Sequence, residues 1–537
     1  MASLATYWHT VRYLRPIQIA ARCYFKIARP RPRAIDARMR QLPGHWRAPI
    51  AKPRSLLEPT RFKFLNQAHD LAEIGWDSPG IPKLWRYNLH YFDDLNASSA
   101  ADRHLWHAAL ISDWIRSNPP GRGSGWEPYP TSLRIVNWVK WLLAGNTPPE
   151  GMLESLGTQA DWLTRRLEYH LLGNHLFANG KALVFAAFML QGPMAERWLA
   201  KGTRLLCAQL QEQVLGDGGH FELSPMYHSI ATEDILDLVN LDQAYQNPQP
   251  IVEPSLATKM LRWLAVMSHP DGGISFFNDG ALDIAPSLGA LRDYAERLDV
   301  SLPESPHPGM THLADSGYIR LHVGDMVCLI DVARVGPDYL PGHAHADTLS
   351  FEVSLAGKRL LVNSGTSEYG GGPERLRQRG TAAHNTVVAN GENSSEVWSG
   401  FRVARRAYPA DLTIEREKEG WSIRCSHTGY ARLPGKLKHI REWRLGSESL
   451  TVTDSFAGKF SLAEAYFHFS PDVRIKQEDG HSFRASFAEQ TVSIAVQGDA
   501  VLADGTWHPQ FGRTVPNQHL IVRSAGETIS TRIGWRK

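Results

Sequence analysis

Two histidines and an aspartate at alternate positions form the stretch with the clearest chemical potential. His343, His345 and Asp347 lie in residues 341–353, directly after a Pro-Gly pair. In an extended strand, alternate side chains share a face, so the three would point the same way. Imidazole and carboxylate groups on one face can transfer protons or bind a metal ion. We predict a β-strand with a titratable start and an apolar end; a solvent-facing strand with incidental histidines is the alternative.

Two pairs of polar residues in the middle of the chain could complement that strand. Asn174 and His175 lie between two predicted helices, and together they can hydrogen-bond a carboxylate. Tyr227 and His228 follow a Ser-Pro-Met run, and a tyrosine beside a histidine can exchange protons if its pKa is lowered. An ordinary capped loop and a core tyrosine are the structural alternatives.

The C-terminal half contains one more histidine and a run of arginines. His384 lies at the entry of a predicted strand and could complete a cluster with His345. Arg375, Arg377 and Arg379 occupy alternate positions in a glycine-flanked segment. Such spacing suits an acidic polymer, although solvated loops also carry charge runs of this kind.

The elements that must position these residues change in character along the chain. From about residue 100 to residue 300, apolar residues recur at spacings of three and four positions, as they do in helices. Loops lie at 125–130, 217–222 and 271–279, and the last two both begin with Asp-Gly-Gly and start 54 residues apart. This recurrence predicts helix pairs around an axis, an incomplete (α/α) toroid, whose loops meet at one end. Asp-Gly-Gly also makes tight turns, and both interpretations can hold together.

From about residue 311, apolar residues recur at every second position, which predicts short strands separated by turn residues. We therefore predict a multidomain α+β chain in which an antiparallel β-sandwich follows the toroid. The expected parts are an N-terminal helical and loop extension at 1–100 that packs on the toroid, the toroid at 101–305, and the sandwich at 311–537.

Composition narrows the function classes. A chain of 537 residues is too long for a single hydrophobic core, so we expect at least two domains. Its net charge of +3 is too small to attract a polyanion over the whole surface, so we expect no nucleic-acid partner. Four widely spaced cysteines contain no CxxC pair, which excludes a zinc ribbon or a dense disulfide framework. The 17 tryptophans and 23 histidines suit carbohydrate binding, although tryptophan is also a common core residue.

The N-terminal segment bears on location. It lacks an apolar stretch followed by a small-residue cleavage site, so we expect a cytoplasmic protein, with the periplasm as the alternative. No stretch is long enough to predict a transmembrane span. Residues 7–40 are basic and partly amphipathic, which predicts either peripheral contact with an anionic membrane or packing on the protein's own domain.

The motifs at 174–175, 224–228, 342–347 and 384–388, in this order on a helical and then a β scaffold, resemble those of the heparinase II/III-like polysaccharide lyases. The resemblance covers nearly the whole chain. It implies a toroid joined to a β-sandwich, and β-elimination at a bond 4-linked to a uronic acid. Neutralising the uronate carboxylate makes the enolate-like intermediate accessible.

Residue roles follow from the resemblance. Asn174 would neutralise the carboxylate with His175 as a helper, Tyr227 would act as base, acid or both, and His343 would transfer the second proton or contact the carboxylate. An acidic polysaccharide or oligosaccharide would be the substrate, and further contacts are expected from Trp126, Glu222, His228, Arg375 and Arg379.

No cofactor is required by this chemistry, but some members of the family hold a structural zinc in the β domain. The matching positions here are His345, Asn363 and His384. Asn363 stands where the pattern has an aspartate, and a neutral amide is a much poorer zinc ligand.

Two other functions stay open from the sequence. A glycoside hydrolase on the same toroid would use an acid pair from carboxylates such as Glu127, Glu222 and Asp279. A non-catalytic protein of polysaccharide assembly would need no such pair. For the lyase, we expect a link to bacterial exopolysaccharide or capsule metabolism.

Overall fold

The computed structural model describes residues 3–535, and its helices fall mostly before residue 300. Their bounds are α1 Leu4–Val11, α2 Pro16–Ile27, α3 Leu71–Ile74, α4 Lys83–Tyr91, α5 His104–Ser117, α6 Pro128–Leu143, α7 Met152–Thr164, α8 Gly173–Met189, α9 Pro193–Gln213, α10 Pro225–Ala244, α11 Pro254–Val266, α12 Leu288–Arg297 and α13 Pro373–Arg379. None of the described helices is both long and apolar enough to cross a bilayer.

The helices form two layers. In the inner layer, α4, α6, α8 and α10 contact one another in turn, and α12 closes against α10. In the outer layer, α7 contacts both α5 and α9. The inner helices α6, α8 and α10 are buried on nearly all sides because they face both the outer helices and the toroid centre. This is the predicted toroid, and α4, from within the expected extension, is part of its inner layer.

Three inner helices begin at the same end of the toroid. Pro128 and Pro225 occupy the first turns of α6 and α10, where a missing N–H costs nothing. Leu172 precedes α8 with φ 66°, and Leu223 precedes the Ser224 cap of α10 with φ 58°. These left-handed residues turn the chain sharply into each helix, so the loops before the helices gather in one place.

The strands occupy the C-terminal half apart from one short hairpin. Their bounds are β1 Arg61–Phe64, β2 Gln67–Asp70, β3 Gly309–Leu313, β4 Tyr318–Val323, β5 Met326–Asp331, β6 Phe351–Leu355, β7 Lys358–Leu361, β8 Val387–Ala389, β9 Val397–Trp398, β10 Arg402–Val403, β11 Pro409–Glu417, β12 Gly420–His427, β13 Lys438–Leu445, β14 Ser449–Ala457, β15 Ala463–His468, β16 Arg474–Gln477, β17 Ser482–Phe487, β18 Gln490–Gln497, β19 Asp499–Gln510, β20 Arg513–Ser524 and β21 Thr528–Trp535.

Three larger antiparallel sheets and the short β9-β10 pair form the β half. The orders of the three larger sheets are β3-β4-β5-β6-β7, β19-β20-β15-β8 and β11-β12-β13-β14-β21-β18-β17-β16. Apolar side chains from all three meet in one core, exemplified by Phe351, Trp443 and Phe467. Alternating burial along β13 and β14 shows one face in this core and the other towards solvent.

The opening stretch is not the predicted strand. Residues 341–350 form a loop, and β6 begins only at Phe351. The backbone of the loop bonds to distant segments: His345 N donates to Asn278 Oδ1, and Ala346 N donates to Arg379 O. Leu349 has φ 62°, which no strand residue adopts. The strand prediction is wrong, but the three side chains still meet one segment: His343 and His345 contact Asp279, and Asp347 accepts from Asn278 N.

Candidate active site

Asn174 lies in the first turn of α8, at the gathered end of the toroid. It is half-buried, and its backbone N–H points to Glu222 Oε1 at 3.4 Å. Its side-chain amide makes no hydrogen bond to any other described residue, so both polar atoms are free for a ligand. Gly173 has φ 55°, and a Cβ there would clash with Leu340 Cδ2 and lie 2.8 Å from Glu222 Oε1. Only glycine therefore allows this approach between α8 and its neighbours.

His175 is held by a carboxylate and an aromatic ring. Its Nδ1 lies 3.1 Å from Glu168 Oε1, and its ring centroid is 4.3 Å from that of Tyr129. Burial lowers the pKa of His175, but the charge of Glu168 and its hydrogen bond outweigh burial and raise it. A raised pKa favours the imidazolium, so His175 adds positive charge at the α8 N-terminus, beside the free amide of Asn174.

Tyr227 lies in the first turn of α10 and meets the β half of the chain. Its hydroxyl lies 2.9 Å from the hydroxyl of Tyr369, and its ring centroid is 3.8 Å from that of His343. Burial, reinforced by Tyr369 and Asp279, raises the pKa of Tyr227 well above its ordinary value. The phenol therefore holds its proton, which it can donate.

Asp279 organises the β side of the site. Its carboxylate lies 2.8 Å from both His343 Nδ1 and His345 Nε2, and Arg375 binds both of its oxygens. Burial alone would raise the pKa of Asp279, but Arg375 and the two histidines hold it well below its usual range. An ionised carboxylate only accepts hydrogen bonds, so His343 carries its proton on Nδ1 and leaves Nε2 as an acceptor.

Glu222 joins the two sides. Besides its contact with Asn174 N, its Oε2 lies 3.5 Å from His343 Nε2 and has no hydrogen-bond partner in the described chain. Burial raises the pKa of Glu222, although His343 partly opposes this. The helical half thus supplies Asn174, Glu222 and Tyr227, the loop at 341–350 supplies His343, and all four converge.

Four residues predicted to contact substrate are instead structural. Trp126 is 3% exposed and packs between Trp114 and Trp162, so neither ring face is open to a sugar. His228 is fully buried; it accepts from His220 N and donates to Met260 O. These two predictions of direct substrate contact are wrong, because both side chains are in the toroid core.

The two arginines are also buried. Arg375 is bound to Asp279, and Arg379 donates to the carbonyl groups of Ala344 and Ser399. Their expected contact with substrate is wrong: Arg375 positions Asp279, and Arg379 fixes the loop that carries His343. Arg377, between them, is the exposed member of the run.

The residues expected to bind zinc do not fit a metal. His345 and His384 face each other, with 3.2 Å between His345 Nδ1 and His384 Nε2, and the second nitrogen of His345 is taken by Asp279. Asn363 Oδ1 accepts from Asn385 N. Within residues 3–535 no group of three or more His, Cys, Asp or Glu could hold a metal ion. The two histidines form a hydrogen-bonded structural pair.

Two members of the site were not assigned to it from the sequence. The sequence suggests Asp279 only as a hydrolase acid, but it ends the second Asp-Gly-Gly loop, which meets the His-x-His stretch in the fold. Tyr369 stood in a glycine-rich segment with no chemical signature of its own. Its hydroxyl contact with Tyr227 depends on how the two halves of the chain meet, which no local pattern shows.

Comparisons with known proteins agree with the fold described above. The family description "Heparinase II/III N-terminus" matches residues 91–299, and "Heparinase II/III-like, C-terminal" matches residues 305–536. A crystal structure of heparinase III superposes with a TM-score of 0.70 at 17% identity, covering 100% of this chain and 94% of that chain. The predicted fold class, helical and then antiparallel sheet, is confirmed.

Two curated relatives differ in the length of chain over which they match this protein. The heparin-sulfate lyase of Pedobacter heparinus is 26% identical over 322 residues, which is 52% of this chain and 47% of that protein. This chain therefore spans about half the length of that lyase. The FtsZ-localized protein C of Caulobacter vibrioides is 27% identical over 562 residues, which is 94% of this chain and 88% of that protein.

Proposed function

Because the chain belongs to the heparinase II/III-like family, we propose that it cleaves an acidic polysaccharide or oligosaccharide by β-elimination beside a uronate. The observation that carries this proposal is the free side-chain amide of Asn174 beside His343: Glu222 contacts the backbone N–H of Asn174 with one carboxylate oxygen and approaches the imidazole of His343 with the other. A carboxylate-binding amide next to two proton-transfer groups is the set that β-elimination needs.

The substrate carboxylate would be bound at the start of α8. The Asn174 amide donates to it, the His175 imidazolium faces it, and the positive end of the helix dipole stabilises it further. Neutralising this charge lowers the barrier to removing the neighbouring C5 proton, because negative charge moves onto the carboxylate oxygens in the transition state.

Two protons then move. His343 Nε2 takes the proton from C5, the C5–H electron pair forms the C4–C5 double bond, and the C4–O bond breaks. Tyr227 gives its phenolic proton to the leaving oxygen. Asp279 keeps the acceptor nitrogen of His343 free by holding the proton on Nδ1, and Tyr369 holds the Tyr227 hydroxyl.

A panel of uronic-acid polymers tests the activity. The full chain is incubated with heparan sulfate, hyaluronan, alginate and polygalacturonate, and the ultraviolet absorbance of the unsaturated uronate is followed. His343→Ala and Tyr227→Phe should each abolish the signal. A substrate carrying an acidic phenol at C4 should restore activity to Tyr227→Phe alone, because that leaving group needs no protonation.

Other products would point elsewhere. New reducing ends without unsaturation would favour a hydrolase; against it, Asp279 is saturated by His343, His345 and Arg375, and Glu127 is bound by Lys83. A non-catalytic role is the second candidate, because a relative that matches 94% of this chain, FtsZ-localized protein C, is named for a location and not for a reaction. If the His343→Ala and Tyr227→Phe variants both still complement the phenotype of a deletion strain, that result would support the non-catalytic candidate.

Peripheral membrane contact is proposed for the N-terminal helices. Leu4 and Trp8 share one face of α1 and are 90% and 65% exposed, and Ile27 at the end of α2 is 79% exposed. Residues 1–35 contain seven Arg or Lys and no Asp or Glu. We expect sedimentation with vesicles containing phosphatidylglycerol and none with phosphatidylcholine alone, and Leu4→Asp with Trp8→Ser should abolish it.

The cellular setting is also a proposal. The substrate would belong to bacterial exopolysaccharide or capsule metabolism, and the protein would act in the cytoplasm, with the periplasm as the alternative. Fractionation of cells that express the full chain at native level, together with polymer analysis of a deletion strain, checks both points.

A further inference from the structure

The helix α2 links the two halves of the molecule beside the candidate site. Gln18 Nε2 donates to Tyr339 O at 3.2 Å, in the loop that leads to His343. Tyr24 Oη donates to Arg165 O at 3.2 Å, and the Phe25 ring lies 4.1 Å from that of His170, in the loop that leads to His175. One face of α2 therefore packs against both loops that deliver active-site residues.

Three arginines meet where α2 crosses between the halves. Arg22 is exposed on α2, Arg402 is exposed at the start of β10 with its guanidinium 4.9 Å from the Trp398 ring, and Arg166 lies 3.9 Å from the Phe25 ring. Burial lowers the pKa of Arg22 and the charge of Arg402 lowers it further. Like charges have thus been brought together without a carboxylate between them.

The neighbouring His170 belongs to the same cluster. Its Nδ1 has no hydrogen-bond partner in the part of the chain that the structure describes. Burial lowers the pKa of His170, and the charges of Arg22 and Arg166 lower it further, although Glu168 opposes them. That nitrogen is itself buried, so the three arginines, rather than the imidazole, form a surface suited to an anion.

Other cations around the site are already neutralised. Arg375 is paired with Asp279, Lys83 with Glu127, and Lys181 with Asp234 and Asp237. By contrast, no described carboxylate lies within ion-pair distance of Arg22, Arg166 or Arg402. These arginines are therefore available to pair with an acidic ligand.

The cluster borders the catalytic residues on both sides. His170 is five positions before His175, and Arg402 follows Phe401, whose ring lies 6.3 Å from that of His343. We propose that α2 is the end wall of the substrate cleft, and that Arg22, Arg166 and Arg402 bind a second acidic group, carried by a sugar next to the uronate held by Asn174. This inference rests on the proposed function and adds that the enzyme acts near chain ends, because α2 blocks the polymer from passing.

Binding to a catalytically silent protein tests the subsite. In the full-length Tyr227→Phe background, the affinities of hexasaccharides from heparan sulfate, hyaluronan and alginate are measured with and without Arg22→Ala. Losing one charge-assisted contact should weaken the best-bound probe about tenfold at low salt. Arg22→Lys should recover part of the affinity, and Arg33→Ala, which removes an exposed charge from the same segment, should change it less than about twofold.

The outcomes separate this inference from the lyase proposal. Equal affinities for the Arg22→Ala and Arg33→Ala proteins would overturn the subsite even if the wild-type protein cleaves polymer. Loss of binding to phosphatidylglycerol vesicles with unchanged hexasaccharide affinity would also overturn it, assigning Arg22 to the membrane. Selective loss of hexasaccharide binding in a chain that cleaves no polymer would support the subsite and contradict the lyase alone.

Discussion

At the scale of single residues, a substitution of Asn174 should change the rate of catalysis without changing the stability of the fold. Its side chain makes no hydrogen bond to a described residue, so Asn174→Ala should leave Tm nearly unchanged. Losing a donor that acts on developing charge should reduce kcat about 10²- to 10³-fold. Steady-state kinetics and calorimetry on the same preparation check both numbers, and a large fall in Tm would show that Asn174 is instead a structural residue.

Asp279 makes the opposite prediction, because its charge is part of the fold. Asp279→Asn leaves Arg375 buried without its partner, which should cost about 3–5 kcal/mol of unfolding free energy. Adding Arg375→Met removes the orphaned charge and should restore much of that stability. Activity should stay low in the double variant, since His343 no longer has a carboxylate to fix its proton on Nδ1. Recovery of activity together with stability would show that Asp279 only supports the fold.

At the scale of elements, Gly173 decides where α8 begins. Gly173→Ala would strain a φ of 55° and push a Cβ into Leu340 and Glu222. We expect a loss of about 1–3 kcal/mol and a clear fall in kcat, because Asn174 is displaced. Gly151→Ala is the matched control, with φ 77° before α7 and nothing within 4 Å of the new Cβ. It should share the backbone strain and keep full activity.

The same scale shows what the sequence could and could not predict. The inner helices follow from the apolar spacing between about 100 and 300, which predicts helices there; α10, for example, spans Pro225–Ala244. The alternating residues at 343–347 imitated a strand, but the hydrogen-bond partners of that loop come from Asn278 and Arg379, which are distant in sequence. The alternate arginines at 375, 377 and 379 suggest contact with an acidic polymer, but the segment is a helix, on which Arg375 and Arg379 share one buried face.

At the scale of the whole molecule, the fold depends on histidines that are buried in the neutral form. His228 donates from Nε2 to Met260 O and accepts at Nδ1 from His220 N, so a second proton would break an internal hydrogen bond. Burial lowers the pKa of His228 to about 4, against about 6.5 in the unfolded chain. The unfolded state therefore binds more protons, and this contribution to stability is complete above pH 6.5 and falls as the pH drops towards 4.

His228→Gln isolates that contribution, because the glutamine amide can donate and accept in the same place without titrating. At neutral pH the variant should be less stable than the wild type, since the packing against Trp263 changes. Below pH 6.5 the wild type should lose about 1.4 kcal/mol per pH unit relative to the variant. Calorimetric Tm values of both proteins from pH 7.5 to 4.5 should therefore converge. A constant difference across that range would mean that His228 is not the neutral, buried tautomer that the hydrogen bonds require.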